Sequence, residues 1–258
     1  MPSAELPLTT FASLDGPGIA HGVSTRAGGV SVGPYSSLNL GASVGDAPEA
    51  VAENRARLAL ALGFEPDRLM TTPQVHGKDV LVVDETTTAE SALSTRADIL
   101  VTRTPGFLLM QRLADCVGML LWHEAARVVG VAHAGWRGTA LGVAGRFVEA
   151  AAELGGEPDG LRVVVGPSIG PCCFEVGDEV VEQIPDARDV SAIGPRGRPH
   201  VDLWELNRRQ LVVAGVPAAQ VDVAGACTRC QPDLYFSHRA LGYPAGRFGA
   251  AIGLLGDV

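Results

Sequence analysis

The feature that most constrains the fold is an amphipathic helix between two apolar segments in the middle of the chain. Residues 139–154 carry apolar side chains at helical spacing, and Gly155 and Gly156 then end the pattern. The segments on either side, residues 127–132 and 161–165, are short, apolar and rich in valine, which is typical of buried strands. A strand, a helix and a second strand in succession predict an α/β protein.

The rest of the chain continues this alternation. The first 45 residues, rich in Gly, Ser and Pro, predict strands joined by tight loops, and residues 185–199 predict a polar loop. We expect one mixed α/β domain over residues 1–258. Helices are predicted at 46–62 (with Asp46 as the N-cap and Gly63 as the C′ residue), 175–184 and 202–213, and strands at 80–84, 99–102, 107–112, 117–122, 221–226 and 247–255.

Composition excludes several classes of protein. The formal charge of −9 and the isoelectric point near 5.1 argue against nucleic acid or an anionic membrane as a partner. The sequence has no apolar run of membrane-spanning length, and its first ten residues lack the pattern of a signal peptide. Five cysteines, an odd number, favour reduced thiols over a disulfide framework, so we expect a cytoplasmic protein.

Three reactive side chains lie in segments that follow or join predicted strands. His76, Cys116 and His133 belong to three separate segments that we expect to converge at one edge of a sheet. Two imidazoles and a thiolate suit Zn²⁺, and three protein ligands leave a fourth position for water or substrate. On spacing alone, the alternative is that each is an ordinary, partly buried residue, because compact metal motifs have closer ligands.

The neighbours of these residues favour a functional site. Arg137 follows His133 by four residues and precedes the predicted helix, where backbone N–H groups and a guanidinium fork would bind an anion. Gln74 and Asp115 are candidates to orient a ligating imidazole. The alternative is that Arg137 pairs with a surface carboxylate and that the other two are ordinary polar residues.

A second motif suggests a serine hydrolase. Residues 166–170 match G-x-S-x-G around Ser168, and His200 and His238 follow in the required order. A nucleophile elbow needs a helix directly after the serine, but Gly170 and Pro171 predict a loop. We therefore interpret the segment as a turn.

Four further cysteines form a weaker signal. Cys227 and Cys230 make a C-x-x-C pair, and Cys172 and Cys173 are adjacent. Adjacent cysteines fit a zinc knuckle poorly, so we expect reduced, structural thiols.

The order of these motifs resembles one family, the laccase-domain proteins, long labelled multicopper polyphenol oxidoreductases and now regarded as zinc-dependent purine nucleoside phosphorylases. The resemblance covers nearly the whole chain. Its matching segments are residues 24–41, 53–55, 74–76, 114–116, 133–138, 166–170, 227–228 and 236–239. Two positions depart from the family pattern: Gly118 stands where the family commonly has proline, and Ala240 where it often has a second arginine. These departures affect pocket shape and substrate preference.

The resemblance implies a layered α/β/β/α sandwich with mixed sheets and zinc at the three residues named above. It implies phosphorolysis of adenosine, inosine or methylthioadenosine to base and ribose 1-phosphate, with adenosine deamination as a related activity, in a monomer or homodimer. Catalysis is expected from the three ligands and Arg137, and the residues expected around the substrate are Arg26, Asn39, Arg55, Gln74 and Arg137.

Three alternatives remain open at this point. The first is a cysteine- or zinc-dependent hydrolase that edits cell-wall precursors, and the second is a scaffold with a structural zinc. The third is a copper-dependent polyphenol oxidase, since Cu²⁺ can replace Zn²⁺ at such ligands. A full laccase needs about ten histidines for its copper sites, by the ligand needs of copper, and this chain has six.

Overall fold

The computed structural model describes residues 6–256. The first five and the last two residues lie outside the described part. The first five begin the segment whose sequence lacks the pattern of a signal peptide. The strands are β1 (Leu8–Thr9), β2 (Ile19–Ser24), β3 (Leu69–Met70), β4 (Val80–Val82), β5 (Ile99–Thr102), β6 (Leu108–Leu113), β7 (Val117–His123), β8 (Val128–Ala134), β9 (Leu161–Val165), β10 (Ser191–Ile193), β11 (Pro199–Val201), β12 (Val221–Val223) and β13 (Phe248–Leu254). The helices are α1 (Pro48–Ala61), α2 (Ala89–Ser94), α3 (Trp136–Ala140), α4 (Val143–Ala152), α5 (Asp178–Val181), α6 (Leu203–Val213) and α7 (His238–Leu241).

The strands form two mixed sheets and a small ribbon. The first sheet has the order β1-β2-β13-β6-β3, and only its β6–β3 pair is parallel. The second has the order β12-β9-β7-β8-β5-β4, and its outermost pair on each side is parallel. Strands β10 and β11 pair separately as an antiparallel ribbon.

Three apolar cores separate four layers. Leu58 of α1 packs with Leu108 and Met110 on the outer face of the first sheet. Apolar side chains from both sheets fill the space between them, and Trp122 is one of these. Phe147 of α4 joins the core on the outer face of the second sheet. The order helix, sheet, sheet, helix confirms the expected α/β/β/α arrangement.

Strand β7 shows why its sequence is apolar throughout. Its alternate residues Met119 and Leu121 belong to the helix-facing core, whereas Leu120 and Trp122 belong to the core between the sheets. A strand in a middle layer is covered on both faces, so side chains of either orientation are buried.

Two predicted helices are wrong in extent. The pattern at 139–154 is divided into α3 and α4, because Gly142 adopts a left-handed conformation (φ +77°) that ends the first helix. The helix predicted at 175–184 shrinks to α5, since the N–H of Val176 donates to the carbonyl of Pro199 and Glu175 pairs with His200 instead. The segment 185–199, which was predicted to be a loop, contains the short strand β10.

Smaller differences concern caps and short elements. Asp46 is not the N-cap of α1; that position is Ala47, because the Asp46 carboxylate accepts hydrogen bonds from the Ser31 hydroxyl and the Asn39 amide. Asp202 does cap α6, accepting from the backbone N–H of Glu205. The sequence patterns do not predict β3, β11, α2 or α7, and they give no bounds for β1. Within residues 6–256, the longest helices are too short and too polar to cross a membrane.

Candidate functional site

The three residues predicted as metal ligands come together at one end of the two-sheet stack. His76 lies in the loop between β3 and β4, Cys116 in the turn between β6 and β7, and His133 within β8. One donor atom of each lies within 4.8 Å of the others, in the pattern expected of a shared ion. Because β6 and β7 belong to different sheets, the ligands converge where the chain crosses between sheets, not at the edge of one sheet as expected.

A buried carboxylate, that of Asp98, holds two of the ligands in place. One of its oxygens contacts Nδ1 of His133 at 2.7 Å and accepts the backbone N–H of His76 at 3.0 Å. The other accepts the N–H groups of Val75 and Gly77 at 3.0 and 2.9 Å. His76 adopts a positive φ of +59°, which is costly for a residue other than glycine, and these bonds hold it there. Asp98 is therefore the orienting carboxylate of the site.

Gln74 and Asp115, the candidates for this role in the sequence, do not fill it, since their side chains bond to Arg112 and to Thr228 and Arg239 respectively. Asp98 was missed because it lies 35 residues before its partner and belongs to no motif. It directly precedes β5, whose antiparallel pairing with β8 sets Ile99 opposite Ala132 and so brings Asp98 next to His133. A charged residue at the entrance of a fully apolar strand was the available signal.

The backbone at Gly135 leaves room for the ligands. A Cβ atom at this position would lie 2.7 Å from Nδ1 of His76 and 3.1 Å from Sγ of Cys116. Both distances are shorter than ordinary contacts, so any side chain here would displace two ligands. The site therefore requires glycine at position 135, directly after β8.

The electrostatics of the site favour a metal-binding thiolate. Burial raises the pKa of Cys116, but the charges and hydrogen bonds of His133 and His76 lower it by more, to about 6. Burial lowers the pKa of His133, whereas the thiolate and Asp98 raise it by more, to about 9. A half-buried thiolate with two imidazoles beside it is the donor set that suits Zn²⁺, so the residues present fit this ion.

The ligands form one wall of an open pocket of about 380 Å³. This volume lies within the range of small-molecule sites. Two arginines, Arg112 and Arg247, line the same pocket. The other lining residues are Gly41, Ser43, Gln74, Ala114 and His238.

Arg55, Arg112 and Arg247 form a cluster of positive charge, and among the three only Arg247 has acidic groups, Cys116 and Asp115, acting to raise its pKa. Burial, followed by the charges of Arg55 and Arg247, lowers the pKa of Arg112 to about 10. Burial also lowers the pKa of Arg55 and of Arg247. Among residues 6–256, none of the three forms an ion pair with a carboxylate. Such a cluster attracts an anion.

Arg137, the predicted anion-binding residue, is not among the residues that line the pocket. It is exposed, and its guanidinium stacks on the ring of Trp136 at 4.3 Å. Arg137 lies inside α3, a helix of only five residues. This helix begins directly after Gly135, earlier than the sequence pattern indicated. The positive charge of the pocket comes instead from Arg112 and Arg247, which the sequence analysis missed because neither belongs to a motif with the ligands.

The other residues that were expected around the substrate make mainly structural contacts. Gln74 lines the pocket and accepts a hydrogen bond from Nε of Arg112 at 3.1 Å. Arg55 donates twice to the carbonyl of Leu40. Asn39 is buried, and its side-chain oxygen Oδ1 accepts the N–H groups of Gly41 and Arg247. Asn39 thus positions two residues that line the pocket.

Arg26 lies away from the pocket lining. It donates to the carbonyls of Ser36 and Pro232 and stacks over the ring of Phe236 at 4.8 Å. These contacts join two loops, and we assign Arg26 a structural part. His238, considered above only as a base for Ser168, lines the metal pocket.

The G-x-S-x-G segment is a turn, as interpreted from the sequence. Ser168 is fully buried; its hydroxyl accepts from Nε1 of Trp204 at 2.6 Å and donates to the carbonyl of Gly166 at 3.3 Å. No helix follows it before α5, and no histidine contacts it within the described residues. Ser168 is therefore not a nucleophile.

Asp115 supports the turn that carries Cys116. Its carboxylate accepts from the hydroxyl of Thr228 at 2.7 Å and from the N–H of Arg239 at 2.6 Å. Its carbonyl accepts the N–H of Ile169. The residue adopts a φ of +93°, so three contacts from distant segments hold a strained conformation next to a metal ligand.

Fold and site together define a mixed α/β protein with a candidate metal centre in an arginine-lined pocket. The chain matches the family described as multi-copper polyphenol oxidoreductase laccase over residues 20–255, and it belongs to that family. The expected resemblance is thereby confirmed.

Relatives with assigned activities cover most of the chain. A protein named purine nucleoside phosphorylase YlmD, from Geobacillus stearothermophilus, is 40% identical over 249 residues, which are 92% of this chain and 90% of the relative. A protein named adenosine deaminase RL5, from an unknown prokaryotic organism, is 41% identical over 224 residues, 83% of this chain and 85% of the relative. The crystal structure of YlmD from Geobacillus stearothermophilus superposes with a TM-score of 0.87 at 39% identity and covers 93% of each chain. The relatives of this chain are therefore enzymes of nucleoside chemistry by name.

Proposed function

We propose that this protein is a zinc-dependent purine nucleoside phosphorylase. It would cleave adenosine, inosine or methylthioadenosine with inorganic phosphate, giving the free base and a ribose 1-phosphate. The observation that carries the proposal is that a potential metal-ligand set and two arginines, Arg112 and Arg247, line one pocket. The names of the relatives support it.

The arginine cluster is the proposed phosphate site. Arg112 and Arg247 face the pocket, and the charge of Arg55 lies close enough to lower the pKa of Arg112. A phosphate dianion between the guanidinium groups would relieve their mutual repulsion and accept forked hydrogen bonds from them. Gln74 fixes one fork, because its amide oxygen accepts from Nε of Arg112 and its amide donates to the carbonyl of the same residue.

His76, Cys116 and His133 are the proposed zinc ligands. When bound, zinc supplies a Lewis acid that polarises a substrate oxygen or nitrogen or lowers the pKa of a bound water. The protein orients one ligand through Asp98, which fixes the tautomer of His133 by contact with its Nδ1. Zinc is preferred over copper because the known multicopper mechanism needs a trinuclear cluster. Within residues 6–256, the only groups able to hold an ion are this set and four cysteines.

The reaction exchanges one bond for another at the anomeric carbon. A phosphate oxygen forms a bond to C1′ as the bond from C1′ to the purine nitrogen breaks, and the electron pair leaves with the base. Arginines that fix phosphate beside the sugar stabilise the positive charge that develops on the ribose by holding an anion next to it. We assign protonation of the departing base to His238, because it lines the same pocket and an imidazole nitrogen can donate a proton.

Adenosine deamination is a second candidate activity, favoured by the relative named adenosine deaminase. The two reactions make different products from adenosine. Phosphorolysis gives adenine and needs phosphate, whereas deamination gives inosine without phosphate. A single chromatographic assay of adenosine with and without phosphate separates them.

The direct test is the turnover of inosine by the zinc-loaded protein. We expect hypoxanthine and ribose 1-phosphate when phosphate is present, and no hypoxanthine when it is absent. The Arg112→Ala variant should lose this activity, whereas Arg146→Ala, which removes a surface arginine paired with Glu153, should retain it. Release of hypoxanthine and free ribose regardless of phosphate would identify a hydrolase, and no turnover of any purine nucleoside would end the proposal.

A further inference from the structure

A second cluster of potential metal ligands lies outside the pocket. Cys172 and Cys173 lie in the loop that follows β9, and Cys227 and Cys230 lie in the loop that follows β12. These two strands are parallel neighbours, and a further bridge between Ser168 and Cys227 continues their pairing. Both loops therefore leave the second sheet at the same edge, which explains how cysteines more than 50 residues apart meet (Cys173 and Cys230 are separated by 57 positions).

The distances among the four sulfurs match a shared tetrahedral ion. One donor atom of each lies within 4.8 Å of the others. Sγ of Cys230 is 3.8 Å from that of Cys172 and 3.4 Å from that of Cys173. A zinc–sulfur bond of about 2.3 Å places tetrahedral ligands about 3.8 Å apart. None of the four cysteines forms a disulfide.

Hydrogen-bond donors point at the sulfurs as they do around thiolates. The backbone N–H of Gly170 donates to Sγ of Cys227 at 3.3 Å, and Nη1 of Arg229 donates to Sγ of Cys173 at 3.4 Å. Arg229 also places a positive charge beside the sulfurs, which would offset the negative charge of a tetrathiolate.

We propose that Cys172, Cys173, Cys227 and Cys230 bind one structural Zn²⁺, separate from the pocket. Each thiol gives its proton to solvent as its sulfur binds the ion. Four protein ligands leave no open position, so this ion would have no part in the chemistry. The sequence spacing argued against such a site because adjacent cysteines do not make a knuckle, but the fold supplies one pair of sulfurs from each of two loops.

The proposed zinc would stabilise the turn that carries Cys116. Thr228 lies between two of the four cysteines, and its hydroxyl donates to Asp115, the strained residue next to Cys116. Its N–H donates to the carbonyl of Ser168 in the other loop. By joining the two loops, the ion would hold Thr228 against Asp115 and so preserve the geometry of the pocket from a distance.

The test is a count of zinc ions by mass spectrometry under native conditions, with element analysis, on the protein reconstituted with zinc. We expect two ions per chain in the wild-type protein. The Cys172→Ser/Cys230→Ser double variant should retain one zinc ion per chain. The Cys116→Ser variant is the matched control in the pocket, and it should lose at most one zinc ion. X-ray absorption of the wild-type protein should show more sulfur around zinc than the single sulfur of the pocket can provide, and this measurement decides the matter if the double variant does not fold.

Three results would overturn the proposal. They are a single zinc in the reconstituted wild-type protein that the double variant retains, an unchanged count of two in the double variant, and a disulfide between Cys173 and Cys230 in protein purified under reducing conditions. The zinc count does not depend on the proposed activity. The structural site can therefore fail while phosphorolysis stands, and the reverse also holds.

Discussion

Replacing Asp98 with asparagine should weaken the metal centre without altering a metal ligand. The carboxylate accepts two contacts on each oxygen: from Nδ1 of His133 and the N–H of His76 on one, and from the N–H groups of Val75 and Gly77 on the other. An amide of the same shape has one acceptor oxygen. Its NH₂ group must therefore face one of these two pairs, and the negative charge beside the imidazole is lost.

The expected cost follows from the role of such carboxylates. Loss of an outer partner of a ligating histidine weakens metal binding about 10- to 100-fold, which corresponds to about 1.4–2.7 kcal/mol. A chelator-competition titration measures this change. Excess zinc should restore occupancy, but kcat should stay low because the imidazole of His133 is no longer held in one orientation.

The matched control for this variant is Asp222→Asn. Asp222 is an exposed carboxylate that contacts only the hydroxyl of Ser13 among the described side chains, and its loss should change neither zinc affinity nor kcat. If Asp98→Asn binds zinc as tightly as the wild-type protein, the assignment of Asp98 as the orienting group is refuted.

Three further predictions follow from the pocket. The Gly135→Ala variant should bind zinc about 10-fold or more weakly, as for the loss of a supporting partner, because its Cβ would lie 2.7 Å from Nδ1 of His76. The control is Gly145→Ala, where a Cβ meets nothing within 4 Å. Equal zinc affinities of the two variants would contradict the close approach at Gly135. The Arg112→Lys variant should raise KM for phosphate about 10- to 100-fold, the worth of a charge-assisted hydrogen bond, with little change in KM for inosine; an unchanged KM for phosphate would remove this residue from the anion site. In chelator-treated protein, alkylation of Cys116, followed on its own peptide, should slow as the pH falls through about 6, where the thiolate is lost; a midpoint near 9, the ordinary value of a thiol, would show that the neighbouring histidines do not stabilise the thiolate.

Local patterns predicted much of the fold correctly. Strand β9 was predicted with its observed bounds, and the helix α6 to within one residue, because valine-rich runs and helical periodicity report burial directly. The division of the helix at Gly142 was missed because glycine inside an apolar pattern does not reveal its own φ value. The short β3 was missed for a different reason. It is a strand only because it pairs with β6 from a distant part of the chain.

The residues of the candidate metal centre were predictable, but their environment was not. His76, Cys116 and His133 carry reactive groups at strand ends, which single positions can reveal. Asp98 and Arg247 join the site only through strand pairing and loop contacts, neither of which has a signature in the sequence. Arg137 shows the opposite error, since its closeness to His133 along the chain suggested a place in the pocket that its exposed side chain does not occupy.

The four cysteines outside the pocket show the same limit. Motif spacing judges ligands along the chain, whereas Cys172 and Cys230 are brought within 3.8 Å by parallel pairing of β9 with β12. A rule based on C-x-x-C pairs therefore rejects a cluster that two loops assemble.

The most direct test of the account is a crystal structure of the protein grown with zinc and phosphate, with anomalous data collected at the zinc edge. We predict an anomalous peak ligated by His76, Cys116 and His133, and phosphate in the same pocket in contact with Arg112 and Arg247. A zinc ion absent from these three residues, or phosphate bound at the exposed Arg137 and not in the pocket, would contradict the account.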